Sequence, residues 1–314
     1  MPEPLNLRHL EFFVSAAETG TMTRTADELR VSQPAVSQAI AELERQLGVQ
    51  LLIRRRARGL ELTAAGRHLL GEARALLARA EDLRTGARDL GQALRGRLVI
   101  GCFQTIAPFL VPRLLDDFDA RHPAVEVDFV EGSLQELHEQ LLSGQCEVAL
   151  LYDLDVPAGI DRELFYGTRP YVLLPQGHPL ARRRDIALAE LAEHDMVMLD
   201  FPPSEHYFRS LLGAAGVTPR VRHRSASFEM VRSLVARGRG FGMLIQRPAV
   251  ELSHEGLPIV HRPIRDPLPE MAVVLATPAG AQLSRRAAAF LAYCREIAPE
   301  LSPPAPRKPG ARSR

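Results

Sequence analysis

The stretch LRVSQPAVSQAIAEL, residues 29–43, constrains what this chain can fold into more than any other. Ser32 is a preferred helix N-cap. Gln33 and Pro34 then fill the first turn, where a missing proline N–H costs nothing. Val36, Ile40 and Leu43, with Leu47 one turn further on, recur at helical spacing and form an inward stripe. Gln33, Ser37 and Gln38 project from the other side, and that face is short, polar and almost uncharged. A helix that needs only a solvated face usually carries Glu and Lys there. A helix that enters the DNA major groove carries amides and hydroxyls, which read base edges. The stretch therefore reads as the turn and second helix of a helix-turn-helix.

The flanks agree. In NLRHLEFFVSAAET (6–19), Asn6 is a cap candidate, Leu7, Leu10, Phe13, Val14 and Ala17 lie at helical spacing, and Gly20 ends the helix. Thr21 or Thr23 caps the next short helix, in which Ala26 and Leu29 face inward. Three short helices so spaced make a trihelical DNA-binding core. Gly48 closes the recognition helix, and QLLIRRRARGLELT (50–63) follows as a predicted hairpin with Arg54, Arg55, Arg56 and Arg58 at its tip. An isolated arginine run is ordinarily a solvated loop. Directly after a helix-turn-helix it reads as a wing, whose arginines sit on phosphates or in a narrow minor groove.

Thr63 caps a long predicted helix over 64–94, with Leu69, Leu70, Ala73, Leu76, Leu77, Ala80, Leu83, Ala87, Leu90 and Leu94 in one stripe. Such a stripe predicts a dimer seam; packing on its own domain is the alternative. From Arg97 the pattern changes. Strands over 97–102, 124–132 and 147–152 alternate with helices over 107–120 and 133–143, which implies a parallel sheet. Residues 153–170 read as a crossover. The pattern resumes with strands over 171–175, 195–200, 220–226, 241–245 and 269–277, and helices over 188–193, 204–214, 228–237 and 281–297. Two similar α/β lobes joined by crossing segments make a clefted binding domain.

The expected fold class is an α+β multidomain chain: an N-terminal winged helix-turn-helix DNA-binding domain (1–63), a linker and dimerisation helix (64–96), and a two-lobed α/β effector domain (97–297). Lobe 1 takes about 97–165 and 266–297, and lobe 2 about 166–265. Residues 298–314, Pro-rich and basic, are expected to be a disordered tail.

Net charge is +1 over 314 residues, so DNA binding must rest on local charge. Cys102, Cys146 and Cys294 are few and far apart, which argues against a disulfide framework or a zinc site. No metal or cofactor is expected. Neither a secretory leader nor an apolar run of about 18 residues is present, so a cytoplasmic protein is expected. No GxSxG, HExxH, Walker A or Rossmann fingerprint points to an enzyme. A solute-binding transport protein would lack the DNA-binding block.

The N-terminal block resembles the LysR-type transcriptional regulators. Leu10, Phe13, Ala26, Leu29, Ser32, Gln33, Pro34, Ala35, Ser37, Leu43, Glu44, Leu47, Gly48, Leu51, Arg54, Leu62, Thr63 and Gly66 carry that resemblance. GRLVIGCF, the helix through Pro112, Glu131-Gly132 and VARGRGFGMLIQRP resemble the family's effector domain, which has a periplasmic-binding-protein-like fold. The resemblance places Gln33, Pro34, Ser37 and Gln38 on the base-reading surface beside Ser32, Arg54 in the wing, and Thr23 and Arg24 near phosphate. Two positions depart from the pattern: Leu52 where many relatives have Phe, and Gln38 where many have Arg. Gln suits adenine, so base preference shifts. The family also implies a homodimer through the linker helix, a homotetramer on double-stranded promoter DNA, and RNA polymerase as a further partner. A peroxide-sensing branch uses cysteines in the second lobe. None lies between Cys146 and Cys294 here, so redox response is the lesser alternative to a small-molecule effector.

In α/β lobes ligands sit at the carboxyl ends of strands, beside helix N-termini. That rule selects Phe103, Gln104 and Thr105, then Gly132 and Ser133, then Tyr152, and in the second lobe Phe201, Pro202 and Ser204. Their hydroxyls, amide and backbone N–H groups suit an anionic metabolite. Thr105, Ser133 and Ser204 are equally placed to cap helices, and Phe103, Tyr152 and Phe201 to be wall or core.

Overall fold

The computed structural model describes residues 5–55, 59–88, 94–154 and 156–301. Three helices open it: α1 (Leu7–Thr19), α2 (Met22–Leu29) and α3 (Gln33–Leu47). Each begins on a side-chain cap. Asn6 accepts from the Arg8 N–H (2.9 Å), Thr21 from Arg24 (3.2 Å) and Ser32 from Ala35 (3.4 Å). Thr21, not Thr23, is thus the cap of α2. Gly20 and Gly48 end α1 and α3 in the left-handed region; Arg30 ends α2 there at φ 53°. Leu10, Phe12, Phe13, Val36, Ile40 and Leu43 bury together, at about 1.5–3 kcal/mol for each large side chain. Leu47 falls off the expected stripe and is exposed, as is Leu7.

The hairpin of β1 (Leu52–Arg55) and β2 (Gly59–Leu62) is antiparallel. Two groups weld it to the helices. Glu44 of α3 accepts from the backbone of Leu51 (2.7 Å) and Leu52 (3.1 Å). The Gly20 carbonyl accepts from Leu60 (2.8 Å), so close that a Cβ at Gly59 would strike it. Arg56 and Arg58 lie outside the described residues.

Thr63 caps α4 (Ala64–Arg88) through the Gly66 N–H (2.9 Å). The apolar stripe of α4 divides. Leu70 and Ala73 are buried against the N-terminal core with Leu69 and Leu77 partly so, while Leu76 (39%) and Leu83 (75%) stay exposed. The first turns therefore serve their own domain, and only the later part of the stripe is left uncovered among the described residues. Leu94 packs on the other core, not in this stripe, and Leu90 lies outside the described residues.

Two sheets follow. The first has strand order β4 (Val125–Gly132), β3 (Gly96–Phe103), β5 (Val148–Tyr152), β12 (Met271–Pro278), β6 (Ile160–Thr168). β3, β4 and β5 are parallel, as strand–helix alternation requires, with α5 (Ala107–Arg121) and α6 (Leu134–Leu142) as crossovers. β12 runs antiparallel to both β5 and β6, so the sheet is mixed. The expected crossover over 153–170 contains all of β6. Its exposed residues Asp161, Arg162 and Glu163 hide the alternation.

In the second sheet β7 (Tyr171–Pro175) pairs antiparallel with β10 (Gly242–Leu244) and β11 (Ile259–Pro263), while β8 (Asp195–Leu199) pairs parallel with β9 (Arg220–Ser225). Phe241 joins the halves: its carbonyl accepts from Val197 (2.8 Å) and its N–H donates to Asp195 (2.8 Å). The order β9-β8-β10-β7-β11 repeats that of the first sheet. α7 (Ser204–Ala214) and α8 (Phe228–Ala236) cover it. β11 has no counterpart in the sequence reading, and residues 188–191 form a single 3₁₀ turn rather than a helix over 188–193. α9 (Arg285–Leu301) packs back on the first sheet and runs four residues past the expected end; residues 302–314 lie outside the described ones. Arg169, after β6, pairs with Glu270, before β12 (2.9 Å), where the chain crosses between the sheets.

Candidate DNA interface and effector cleft

The exposed edge of the N-terminal domain gathers most of the residues expected to face DNA. Ser32, Gln33, Pro34 and Gln38 are exposed along the start of α3, and Thr23 and Arg24 along the start of α2. Neither helix has an acidic residue in its first turn, so both positive dipole ends are open to phosphate. Ser37 is half-buried, and its Oγ accepts from Arg54 Nη2 at 2.8 Å. Recognition helix and wing are thereby tied through one guanidinium. Arg55 pairs across the hairpin with Glu61 (3.2 Å), which takes up part of its charge. Arg56 lies outside the described residues. Glu44 is the residue sequence reasoning left without a role: it holds the wing against α3, and its place one residue beyond the buried Leu43 was the available signal.

The strand ends of the two lobes pack tightly against each other. Phe103 and Tyr152 are buried, and the Phe103 ring meets Tyr152 edge-on and tilts against Phe201 of the second lobe, centroids 5.4 Å apart in both cases. Phe109 and Phe228 make a second contact across the lobes at 5.5 Å. Gln246, just past β10, spans the same seam. Its Nε2 donates to Tyr152 (3.1 Å) and Tyr166 (3.3 Å), and its backbone carbonyl accepts from the Tyr171 hydroxyl (2.8 Å). Burial pushes the Tyr152 phenol up and that of Tyr166 to about 12, so both are neutral hydrogen-bonding groups. Gln246 was missed by sequence reasoning, although it stands at the end of the strand FGMLI by the same rule that selected the others.

The helix ends beside the cleft differ among themselves. Ser133 caps α6 in a capping box: its N–H and Oγ both donate to Glu136 Oε2 at 2.8 Å. Those hydrogen bonds hold the Glu136 carboxyl below its usual range. Ser133 and Gly132 therefore offer no open anion site, because a carboxylate of this chain already occupies it. At α7 the first turn carries Glu205, held down to about 2 by Arg224 and Arg209. Ser204 is buried in that turn and is not the cap; Pro203 is, and Pro202 is exposed. Only α5, of these three, starts with neither an acid nor a side-chain cap, with Gln104 exposed and Thr105 buried immediately before it.

The three cysteines are buried and unbonded. Burial raises the thiols of Cys146 and Cys294 to about 12 and that of Cys102 further. Among the described residues no cluster of His, Cys, Asp and Glu could hold a metal, and no helix is long and apolar enough to cross a membrane.

A winged helix-turn-helix carried on a long helix, in front of two lobes folded about a seam, defines a ligand-responsive DNA-binding protein. The family models agree: the bacterial regulatory helix-turn-helix of the lysR family matches residues 7–67, and the LysR substrate binding domain matches residues 91–299. The chain belongs to the LysR family of DNA-binding transcriptional regulators, whose members are not enzymes. It is 32% identical over 290 residues to the hydrogen peroxide-inducible genes activator of Dickeya chrysanthemi, covering 90% of this chain and 92% of that one. Among solved structures it is similar to HinK, a LysR family transcriptional regulator from Pseudomonas aeruginosa, at 35% identity with a TM-score of 0.63 over 93% of this chain and 98% of the other. A full-length OxyR variant from the same organism matches with a TM-score of 0.74 at 26% identity, covering 93% of this chain and 98% of that one.

Proposed function

We propose that this regulator reads a pseudo-palindromic promoter site through paired copies of α3 and responds to a small organic acid held between its two lobes. The observation that carries the reading is the acid-free, exposed start of α2 and α3 with Arg54 locked to Ser37. On it, Gln33, Ser37 and Gln38 contact base edges, with Ser32 and Pro34 setting the helix end. Arg24, Arg54, Arg55 and Arg56 neutralise phosphates, and the Thr23 hydroxyl donates a hydrogen bond to one. The exposed Leu76 and Leu83 support pairing of two chains along α4, and dimers of such dimers form the tetramer. Promoter DNA as partner places the protein in the cytoplasm, where RNA polymerase is at hand.

The effector's carboxylate is proposed to sit at the uncapped start of α5, beside Gln104 and Thr105, with its body against Phe103, Tyr152 and Phe201. Phe103 and Tyr152 are buried, so this ligand enters by parting the lobes and must bind the parted arrangement better than the closed one. Peroxide response, named for the Dickeya relative, is not carried over: no cysteine lies between Cys146 and Cys294, and burial keeps all three thiols protonated. Footprinting on the DNA upstream of its own gene, with and without a panel of organic acids, tests the reading. A protected two-fold site whose spacing changes with one acid supports it; a ligand that binds tightly yet leaves the footprint unaltered sinks the effector half.

A further inference from the structure

The junction between α4 and the effector domain is built by close approach of backbones. A Cβ at Gly71 would collide with the Leu142 carbonyl, and Gly144 turns at φ 65° beside it. Arg74, only 15% exposed, closes the junction from three sides. Its own stem lies on α4, Nη2 donates to Glu18 of α1 (2.7 Å), and Nη1 donates to the Ser143 carbonyl after α6 (2.7 Å). Next to this contact lies a cavity of about 250 Å³. Ala75 and Ala78 of α4, Val99 of β3, Leu141 of α6 and Leu283 supply apolar wall, and Arg97 and Arg286 line it as well.

Size and chemistry narrow the occupant. An apolar cavity of about 150 Å³ is enough to take up benzene, so the larger volume here accommodates a six-membered ring with a carboxylate attached. Two acids lie on the wall: Glu72, which is exposed, and Glu147, which is engaged by the Ser284 N–H (3.1 Å) and hydroxyl (3.0 Å). Arg97 is paired with Asp128 at 2.6 Å but is 65% exposed, and an exposed pair of this kind exchanges partners at small cost. We propose that this cavity is a second small-molecule site, separate from the seam between the lobes, which takes a compact organic acid with an apolar ring. The ring lies against Ala75, Ala78 and Val99, and the carboxylate bridges to Arg97. An occupant touches α4 and the effector domain together. It thus favours the docked arrangement of the two and acts on the spacing of the DNA-binding units without passing through the cleft.

The chain contains no tryptophan, so Gln282→Trp at the exposed rim gives a single reporter in the full-length protein. Titration with cyclohexanecarboxylate is expected to give a saturable emission shift with a Kd below about 1 mM. Cyclohexylmethanol, the uncharged counterpart, is expected to bind at least about tenfold more weakly, and Arg97→Gln to erase that difference. Filling the cavity by Ala78→Phe, or independently from the exposed loop by Ala281→Phe, removes the shift. Gln104→Phe, at the cleft, leaves it in place. No saturation by the acid, a shift that persists in both filled variants, or a shift lost in Gln104→Phe overturns the proposal. The last outcome would assign binding to the cleft and leave the reading of that site standing.

Discussion

The helix N-termini at the two ends of this molecule are equipped in opposite ways. At the DNA end, α2 and α3 begin on hydroxyl caps with no acid in the first turn. At the effector end, α6, α7 and α8 carry Glu136, Glu205 and Glu229 there, and of these four neighbours α5 alone begins without an acid. A helix start presents about half a positive charge. In α6 and α7 that charge is neutralised from within the chain; in α2 and α3 it is left for phosphate. The same contrast holds for side chains. The residues proposed to face DNA are mostly exposed, whereas Phe103, Tyr152, Tyr166 and Gln246 are buried and packed or hydrogen-bonded along one seam. One end stands open to solvent; the other is closed on itself.

Substitutions can break this contrast, starting with the largest. Gly66→Val drives a side chain into the Leu51 carbonyl, so the wing must separate from α4. A loss of about 3 kcal/mol or more is expected, visible as a lowered melting temperature and as loss of DNA binding in gel shifts. Gln246→Leu leaves two buried tyrosine hydroxyls without their shared donor. It should cost about 1–3 kcal/mol in thermal unfolding and loosen the lobes, while DNA affinity without effector stays within twofold or so of the parent. A melting temperature equal to the parent's would show that the seam is not held by this amide.

At the DNA end, Arg54→Ala should weaken all sequences alike and reduce the salt slope of log K by about 1. Gln38→Ala should instead change base preference at one position, by about 1–3 kcal/mol between the best and next base. Equal effects of the two on every sequence would remove the distinction between wing and recognition helix. The smallest effect concerns acid. Burial holds the His261 imidazole below its ordinary value of 6.5, while the Glu251 carboxylate at 3.0 Å pulls the other way. The folded chain therefore keeps His261 neutral where the unfolded chain takes up a proton. This contribution to stability is full above pH 6.5 and declines as pH falls below it. His261→Gln should flatten a melting-temperature profile in that window and leave it unchanged at pH 8, which is above the titration of either state.

The sequence made the DNA end legible because everything there is local. Caps, the Gly20 and Gly48 stops and the stripe through Leu43 lie within a few residues of what they act on. The cleft was legible only in part. Strand ends follow from the chain, so Phe103, Tyr152 and Phe201 could be picked out one by one as wall or core; that their rings touch could not. Whether they face ligand or each other depends on pairs such as Tyr152 with Gln246, 94 residues apart. Ser133 shows the same limit at short range: its spacing to Glu136 spelled a capping box, and the structure has the box filled. β6 and β11 escaped because their antiparallel partners β12 and β7 lie far off in sequence, and in β6 a run of exposed residues interrupts the alternation as well.

Arg74 has a consequence for anyone who recombines these proteins. A hybrid that joins the reading half of one regulator to the sensing half of another can be cut in the connecting helix. In this chain such a cut separates a three-way handshake, in which Glu18 belongs to the reader, Ser143 to the sensor and Arg74 to the helix between them. Gly71 and Leu142 must also arrive as a matched pair, since any side chain at the first is refused by the second. Donor and recipient are therefore interchangeable only when these positions travel together. A panel of chimeras sorted by that rule should separate into those that still answer their signal and those that merely bind DNA.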